Sequence, residues 1–312
     1  MQLVIETVIP IFVIIAAGWW ARKSNLLEEK ASSALNQYVF YFAVPAMMFS
    51  ATARFSLAEV INGPFLIAFF LATLITALIG FIPYKTLRIQ GPLDSMVIAL
   101  NTVWANTIYM GVPLFFFIFG EKGTLPVIMA TLTTNMAFIF CMAVFANLEP
   151  GQPKASLPGL FSKIFLKNPV MLAPILGMTV SFLELSLAKP LDNLLTMVAP
   201  SAAPVALFSL GLSLYGLQIQ GSLFQLGWIT LVKLVIHPLI ALAIVWTMDL
   251  EPFWAASVVL LSALPTGAMV YVLAQQYDRR IELSSSSIFV TTILSIVSLA
   301  ILLPMMKQWA GG

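Results

Sequence analysis

Apolar residues in this chain come in blocks bounded by charges, and ten of these blocks are long enough to cross a bilayer as helices. They lie near residues 3–21, 32–53, 62–84, 95–119, 124–147, 168–187, 192–216, 222–248, 252–277 and 283–306. The first begins at residue 3 without a basic leader and reads as a retained helix rather than a secretory signal. In hydrocarbon every backbone N–H and C=O needs a partner inside the protein, which makes helices the form for blocks of this length. The pattern predicts an all-α membrane protein with ten transmembrane helices.

Two blocks carry residues that interrupt a helix. Charge-free runs of 26 residues cover 95–120 and 252–277. The first holds Asn106-Thr107-Ile108-Tyr109-Met110-Gly111-Val112-Pro113 and the second Ala263-Leu264-Pro265-Thr266-Gly267. Proline removes a backbone donor and bends a helix. Broken backbone at membrane depth survives only where it is buried in protein or lines a polar cavity. Paired interruptions in corresponding halves point to a transporter's substrate site.

The halves do correspond. At a constant offset of 159 residues Pro10 meets Pro169, Gly18 meets Gly177, Pro45 meets Pro204, Ser50 meets Ser209 and Thr107 meets Thr266. Proline placement carries shape, so its recurrence in one register weighs more than apolar identities. Each half, 1–150 and 151–312, holds five spans, and an odd number inverts the second half relative to the first. The expectation is two inverted five-helix repeats, with broken helices 4 and 9 crossing near the midplane. Half-helix N-termini at such a crossing present N–H groups and partial positive charge, which suit a small anion.

Composition agrees, with 60 % hydrophobic and 9 % charged residues. Loops after odd-numbered spans hold Arg22, Lys23, Lys30, Lys85, Arg88, Lys154, Lys163, Lys167, Arg279 and Arg280, against Arg54, Lys122, Lys189 and Lys307 on the other side. The basic side stays cytoplasmic, so both termini are expected outside the cytoplasm of a multi-pass inner (plasma) membrane protein. A net charge of +2 gives no argument for nucleic acid. One cysteine, Cys141, and one histidine argue against an intrachain disulfide and a metal cluster. No nucleophile, Walker-type or paired-carboxylate motif suggests an enzyme, and no cofactor is expected. A channel or a sensor-like membrane protein for small organic acids remains the alternative to a carrier.

Asn106, Thr107, Pro265 and Thr266 are the candidate substrate-binding residues, with Gly111, Pro113 and Gly267 as crossover or hinge positions. Asn106 and Thr107 equally suit a structural role, satisfying broken backbone. Lys233 and His237 are four apart on one helical face inside the eighth span. Intramembrane ionisable groups are functional candidates. Lys233 is thus a candidate for the substrate anion, or for the fixed positive charge that a coupling cation would otherwise supply. His237 is a candidate proton relay, and a structural Lys–His pair bonded to carbonyls is the other reading. Asn135 in span five is a further coupling candidate beside Thr133 and Thr134, while Thr291 and Thr292 read as packing residues.

Several of these stretches resemble the auxin efflux carrier family, which includes plant PIN-type carriers and bacterial organic-acid carriers. Leu35-Asn36-Gln37-Tyr38-Val39 with Phe42-Ala43-Val44-Pro45 is similar to its second span. Asn106-Thr107, Met110-Gly111-Val112-Pro113-Leu114 and Gly120 are similar to its fourth. Phe208-Ser209-Leu210-Gly211-Leu212 is similar to its seventh, and Ala263-Leu264-Pro265, Gly267, Val272, Ala274 and Tyr277 to its ninth. The resemblance implies a scaffold of spans 1, 2, 6 and 7, a moving part of spans 3–5 and 8–10, and an elevator-type mechanism. It implies a homodimer and a small organic anion of auxin, malonate or malate type. Coupling to Na+ or H+, exchange and uniport all stay open. Plant members commonly have Pro where this chain has Ala105, so the first crossover is expected to bend less, or at Gly111 and Pro113 instead.

Overall fold

The computed structural model describes residues 2–82, 91–148 and 156–311. Lys85, Arg88 and Lys154, used above for orientation, lie outside the described residues. In chain order the helices are α1 (Gln2–Lys23), α2 (Glu29–Tyr38), α3 (Val44–Arg54), α4 (Leu57–Val60), α5 (Gly63–Phe81), α6 (Pro92–Val103), α7 (Val112–Phe119), α8 (Thr124–Leu148) and α9 (Leu157–Phe161). They continue with α10 (Pro169–Phe182), α11 (Lys189–Val198), α12 (Ala202–Leu214), α13 (Leu223–Leu231), α14 (His237–Thr247), α15 (Pro252–Ala263), α16 (Met269–Gln276) and α17 (Ile281–Trp309). No strand is present among the described residues; the one β-type contact is an isolated antiparallel bridge between Ala105 and Thr266. Among the described residues five helical stretches are long and apolar enough to cross a membrane: Leu57–Phe81, Thr107–Phe145, Lys189–Leu214, Leu223–Thr247 and Ile281–Trp309. Shorter apolar helices cover Leu93–Val103, Pro169–Phe182 and Pro252–Ala263.

Prolines shape several helices without ending them. Single π-helical turns at Val39–Ala43, Thr107–Gly111 and Val232–Ile236 run directly into α3, α7 and α14. Pro45, Pro113 and Pro238 sit in the first turn of those helices, where a missing N–H is harmless. The wider turn shows in its hydrogen bonds: the N–H of Val44 reaches back to Val39 O, and that of His237 to Val232 O. Such bulges recur at functional sites in other helices.

The chain divides into two compact units. One comprises Ile9–Asn62 and Ile108–Tyr215. Its helices approach through small residues. A Cβ on Gly211 would lie 1.9 Å from Ile15 O, one on Gly18 would lie 2.1 Å from Phe208 O, and one on Gly177 would lie 2.6 Å from Phe49 O. Glycine at these contacts lets backbones touch, the packing that membranes favour where hydrophobic burial drives little. Polar contacts pin the same faces: Ser209 Oγ donates to Asn36 Oδ1 at 2.7 Å, and Tyr38 OH lies 2.8 Å from Ser201 Oγ. At the end of α3, Arg54 bonds Glu121 at 2.9 Å and Asp192 at 2.7 Å beside a cavity of about 60 Å³.

The other unit comprises Met1–Val8, Gly63–Thr107 and Gly216–Gly312. Its centre is α15, buried from Phe253 to Ala263 on every face. A helix apolar all round needs neighbours all round, and α5, α14 and α17 supply them. Ile98, Leu226, Ile229 and Leu283 form an apolar cluster where α6, α13 and α17 meet. Asp94 in the first turn of α6 receives Arg280 Nε at 2.9 Å and Arg279 Nη1 at 3.4 Å, tying that helix to the turn before α17.

Candidate functional site

The site is built where α6 and α15 stop. Trp104 takes an extended ψ of 106° after α6, and Leu264 takes ψ of 149° after α15. Leu264 precedes Pro265, whose ring disfavours helical backbone in the residue before it. The freed backbone groups then pair with each other. Asn106 N–H donates to Pro265 O at 2.9 Å, and Gly267 N–H donates to Trp104 O at 2.9 Å. This two-bond ladder is the Ala105–Thr266 bridge. Gly267 permits it, since a Cβ there would lie 2.8 Å from Ala105 O and 3.2 Å from Asn106 Cα. Helix resumes at Thr107 on one side and at Met269 on the other.

Side chains complete the accounting. Thr266 is fully buried; its N–H donates to Thr291 Oγ1 at 3.0 Å and its hydroxyl to Asn101 O at 2.8 Å. Asn101 in turn donates to Val97 O at 2.9 Å and to Ser284 Oγ at 3.1 Å. Lys233, also fully buried, donates to Ser262 O at 2.9 Å and lies 3.2 Å from His237 Nδ1. Ser262 O belongs to the last turn of α15, whose carbonyl end carries the negative pole of the helix dipole. The carbonyl end of α6 is thus met by a hydroxyl and that of α15 by an amine-bearing side chain.

Asn106, Thr107, Pro265, Thr266 and Gly267 therefore gather at one paired break, with Lys233 and His237 one turn back along α15, all in the same unit. Gly111, Pro113 and Asn135 belong to the other unit. The first interruption lies before Gly111 and Pro113, which continue a helix rather than break one. Asn135 Nδ2 donates to Thr131 O of its own helix at 2.7 Å. Asn101 and Thr291, the second of which reads as a packing residue in the sequence, both accept hydrogen bonds from Thr266 at the break. Asn101 was visible as an amide one turn before Asn106 in a charge-free run, whereas nothing in the sequence marks Thr291 as the partner of a freed N–H.

Five stretches long and apolar enough to cross a membrane, together with two shorter apolar helices, α6 and α15, that open onto each other, fit a helical membrane protein. The chain belongs to the membrane transport protein family, whose model matches residues 3–159 and 155–303, in keeping with its resemblance to the auxin efflux carriers. It is 28 % identical over 306 residues to a Rhizobium meliloti protein named "Putative malonate transporter", covering 97 % of this chain and 96 % of that one. An "Uncharacterized transporter" of Methanothermobacter thermautotrophicus is 26 % identical over 298 residues, covering 94 % and 95 %. The mouse "Lysosomal cholesterol signaling protein" is 23 % identical over 314 residues, covering 91 % of this chain and 35 % of that longer protein.

Proposed function

We propose that this transporter is a secondary carrier that moves a small organic anion, a carboxylate of malonate, malate or auxin-like size, across the cytoplasmic membrane. The paired break carries the reading. Two interrupted helices joined by their own freed backbone groups form a local centre in which polar atoms gather inside apolar protein. Asn106, Thr107, Pro265 and Thr266 bound it, and α16 begins two residues after Gly267, at Met269. Helix N-termini favour an anion. The full-length similarity to a protein named for malonate transport supports the same substrate class.

The ten spans act as two inverted five-helix repeats, with both termini outside the cytoplasm, and the carrier works as a homodimer by an elevator-type mechanism. Spans 1, 2, 6 and 7 are the scaffold, and spans 3–5 and 8–10 are the moving part. The grouping of α2, α3, α10, α11 and α12 into one unit, and of α5, α13, α14, α15 and α17 into the other, follows that division in part, while α7 and α8, of spans 4 and 5, fall in the first of these units.

Counterflow tests the reading. Proteoliposomes loaded with unlabelled malonate should transiently concentrate labelled malonate, and a panel of malate, succinate and indole-3-acetate should rank the substrates. Equilibration without concentration for every member would point to a channel and overturn the carrier.

A further inference from the structure

The Lys233–His237 pair is the feature that the paired break leaves unexplained. Both side chains are fully buried. Among the described residues Lys233 Nζ has two partners in hydrogen-bond range: the acceptor Ser262 O, and His237 Nδ1, which accepts when the ring proton is on Nε2. His237 Nε2 and Ser262 Oγ, also buried, have no hydrogen-bond partner among the described residues. Polar atoms thus surround the amine, but among the described residues no countercharge does.

The elements packed against the π-turn and α14 confirm the lack of countercharge. They are α5, α6, α13, α15 and α17. α5, α13 and α15 carry no titratable residue. α6 carries Asp94, which Arg279 and Arg280 hold at its N-terminal end. α17 carries Glu282 in its first turn and Lys307 in its last. An ammonium at Lys233 is therefore a buried positive charge bonded only to dipoles, which is costly in a low-dielectric interior. Two events relieve that cost: loss of the proton, or arrival of a negative charge.

Lys233 is bonded to Ser262, three residues before Pro265, so the charge sits on the helix that ends at the anion site. We infer that the Lys233–His237 pair is a proton-binding site linked to the anion site, so that each organic anion bound at the paired break brings a proton onto the Lys233 amine. This rests on the anion-carrier reading. The step balances: the amine lone pair takes a proton from solvent, one N–H bond forms, and the new ammonium charge offsets one carboxylate charge. Linkage is reciprocal, so protonation tightens anion binding as much as the anion promotes protonation. The cation moving with the substrate is then a proton held on a side chain.

The test is malonate binding to the purified full-length protein by calorimetry, in paired buffers of different ionisation enthalpy across a range of pH. The wild type should take up a proton on binding, and its Kd should rise about tenfold per pH unit once the pair has lost its proton. Lys233→Arg keeps the charge at every accessible pH, so it should bind without proton uptake and with a flat pH profile. Lys233→Met serves the same purpose if the arginine variant does not fold. Binding by the wild type without proton uptake, or equal uptake in a folded variant, overturns the inference. If the wild type does not bind malonate, the substrate reading fails separately, and ligand-free melting curves decide the proton site. A pH dependence of Tm present in the wild type and absent in Lys233→Met supports it; parallel curves refute it.

Discussion

Gly267→Ala isolates the paired break from every other part of the molecule. The added methyl would sit 2.8 Å from Ala105 O, 3.1 Å from Ala105 C and 3.2 Å from Asn106 Cα. All three neighbours are backbone atoms, so no rotamer change makes room. The two breaks must separate, and the bonds at risk are Asn106 N–H to Pro265 O and Gly267 N–H to Trp104 O. Overpacking costs about 1–3 kcal/mol and each lost hydrogen bond nets about 0.5–1.5 kcal/mol, so losing both brings the cost to about 2–6 kcal/mol. Gly227→Ala in α13 is the matched control, because a Cβ there meets nothing within 4 Å. Removing a helix-interior glycine should stabilise by about 0.5–1 kcal/mol. Thermal unfolding in detergent, followed by tryptophan fluorescence, should place Gly267→Ala several degrees below the wild type and Gly227→Ala at or above it. Counterflow should fall in the first variant only. A Gly267→Ala protein that melts with the wild type and transports normally would show that the bridge between the breaks does not hold the site together.

Other expectations follow from the same coordinates. Gly211→Ala would push a methyl to 1.9 Å from Ile15 O and should yield no monodisperse protein by size exclusion, whereas Gly63→Ala, with open space around it, should behave as wild type. Arg54→Gln removes two ion pairs whose side chains are a third to a half exposed, so it should cost under about 1 kcal/mol, and the small Tm loss should shrink in high salt; a loss of several kcal/mol would contradict that. Asn106→Ala should lower malonate binding or uptake without loss of expression, and wild-type binding would return Asn106 to a purely structural role. Cysteines introduced at Gly311 and Ser156 should be labelled on intact cells at 311 only, and labelling at 156 alone would reverse the proposed orientation.

The second break was legible because its cause is local. Pro265 cannot donate a bond and Leu264 before it is pushed out of helical backbone. The first break has no such cause. Trp104, Ala105 and Asn106 include no helix breaker, while Gly111 and Pro113, the residues that looked like the bend, continue the helix. Pro113 stands in the first turn after a π-turn, where its absent N–H costs little. The opening at Trp104–Asn106 is held by tertiary pairing with Pro265 and Gly267, and no propensity within 95–120 encodes a partner that far along the chain.

Lys233 shows the same limit from the other side. Its spacing from His237 is a helical contact, and the two side chains do meet at 3.2 Å. Its other partner is a main-chain oxygen, which every residue has, so no residue type in the sequence could single out Ser262. That oxygen becomes a distinct cation acceptor only because α15 stops at Ala263 and leaves its last carbonyls without helical donors. The break at Pro265 therefore does two things at once. It turns the N–H groups of Thr266 and Gly267 to partners outside their own helix, Thr291 Oγ1 and Trp104 O, and it frees carbonyls behind it, where the Lys233 amine is drawn. One proline thus sets the backbone groups on both sides of the break, and under the proposed carrier reading the buried lysine stands on its carbonyl side.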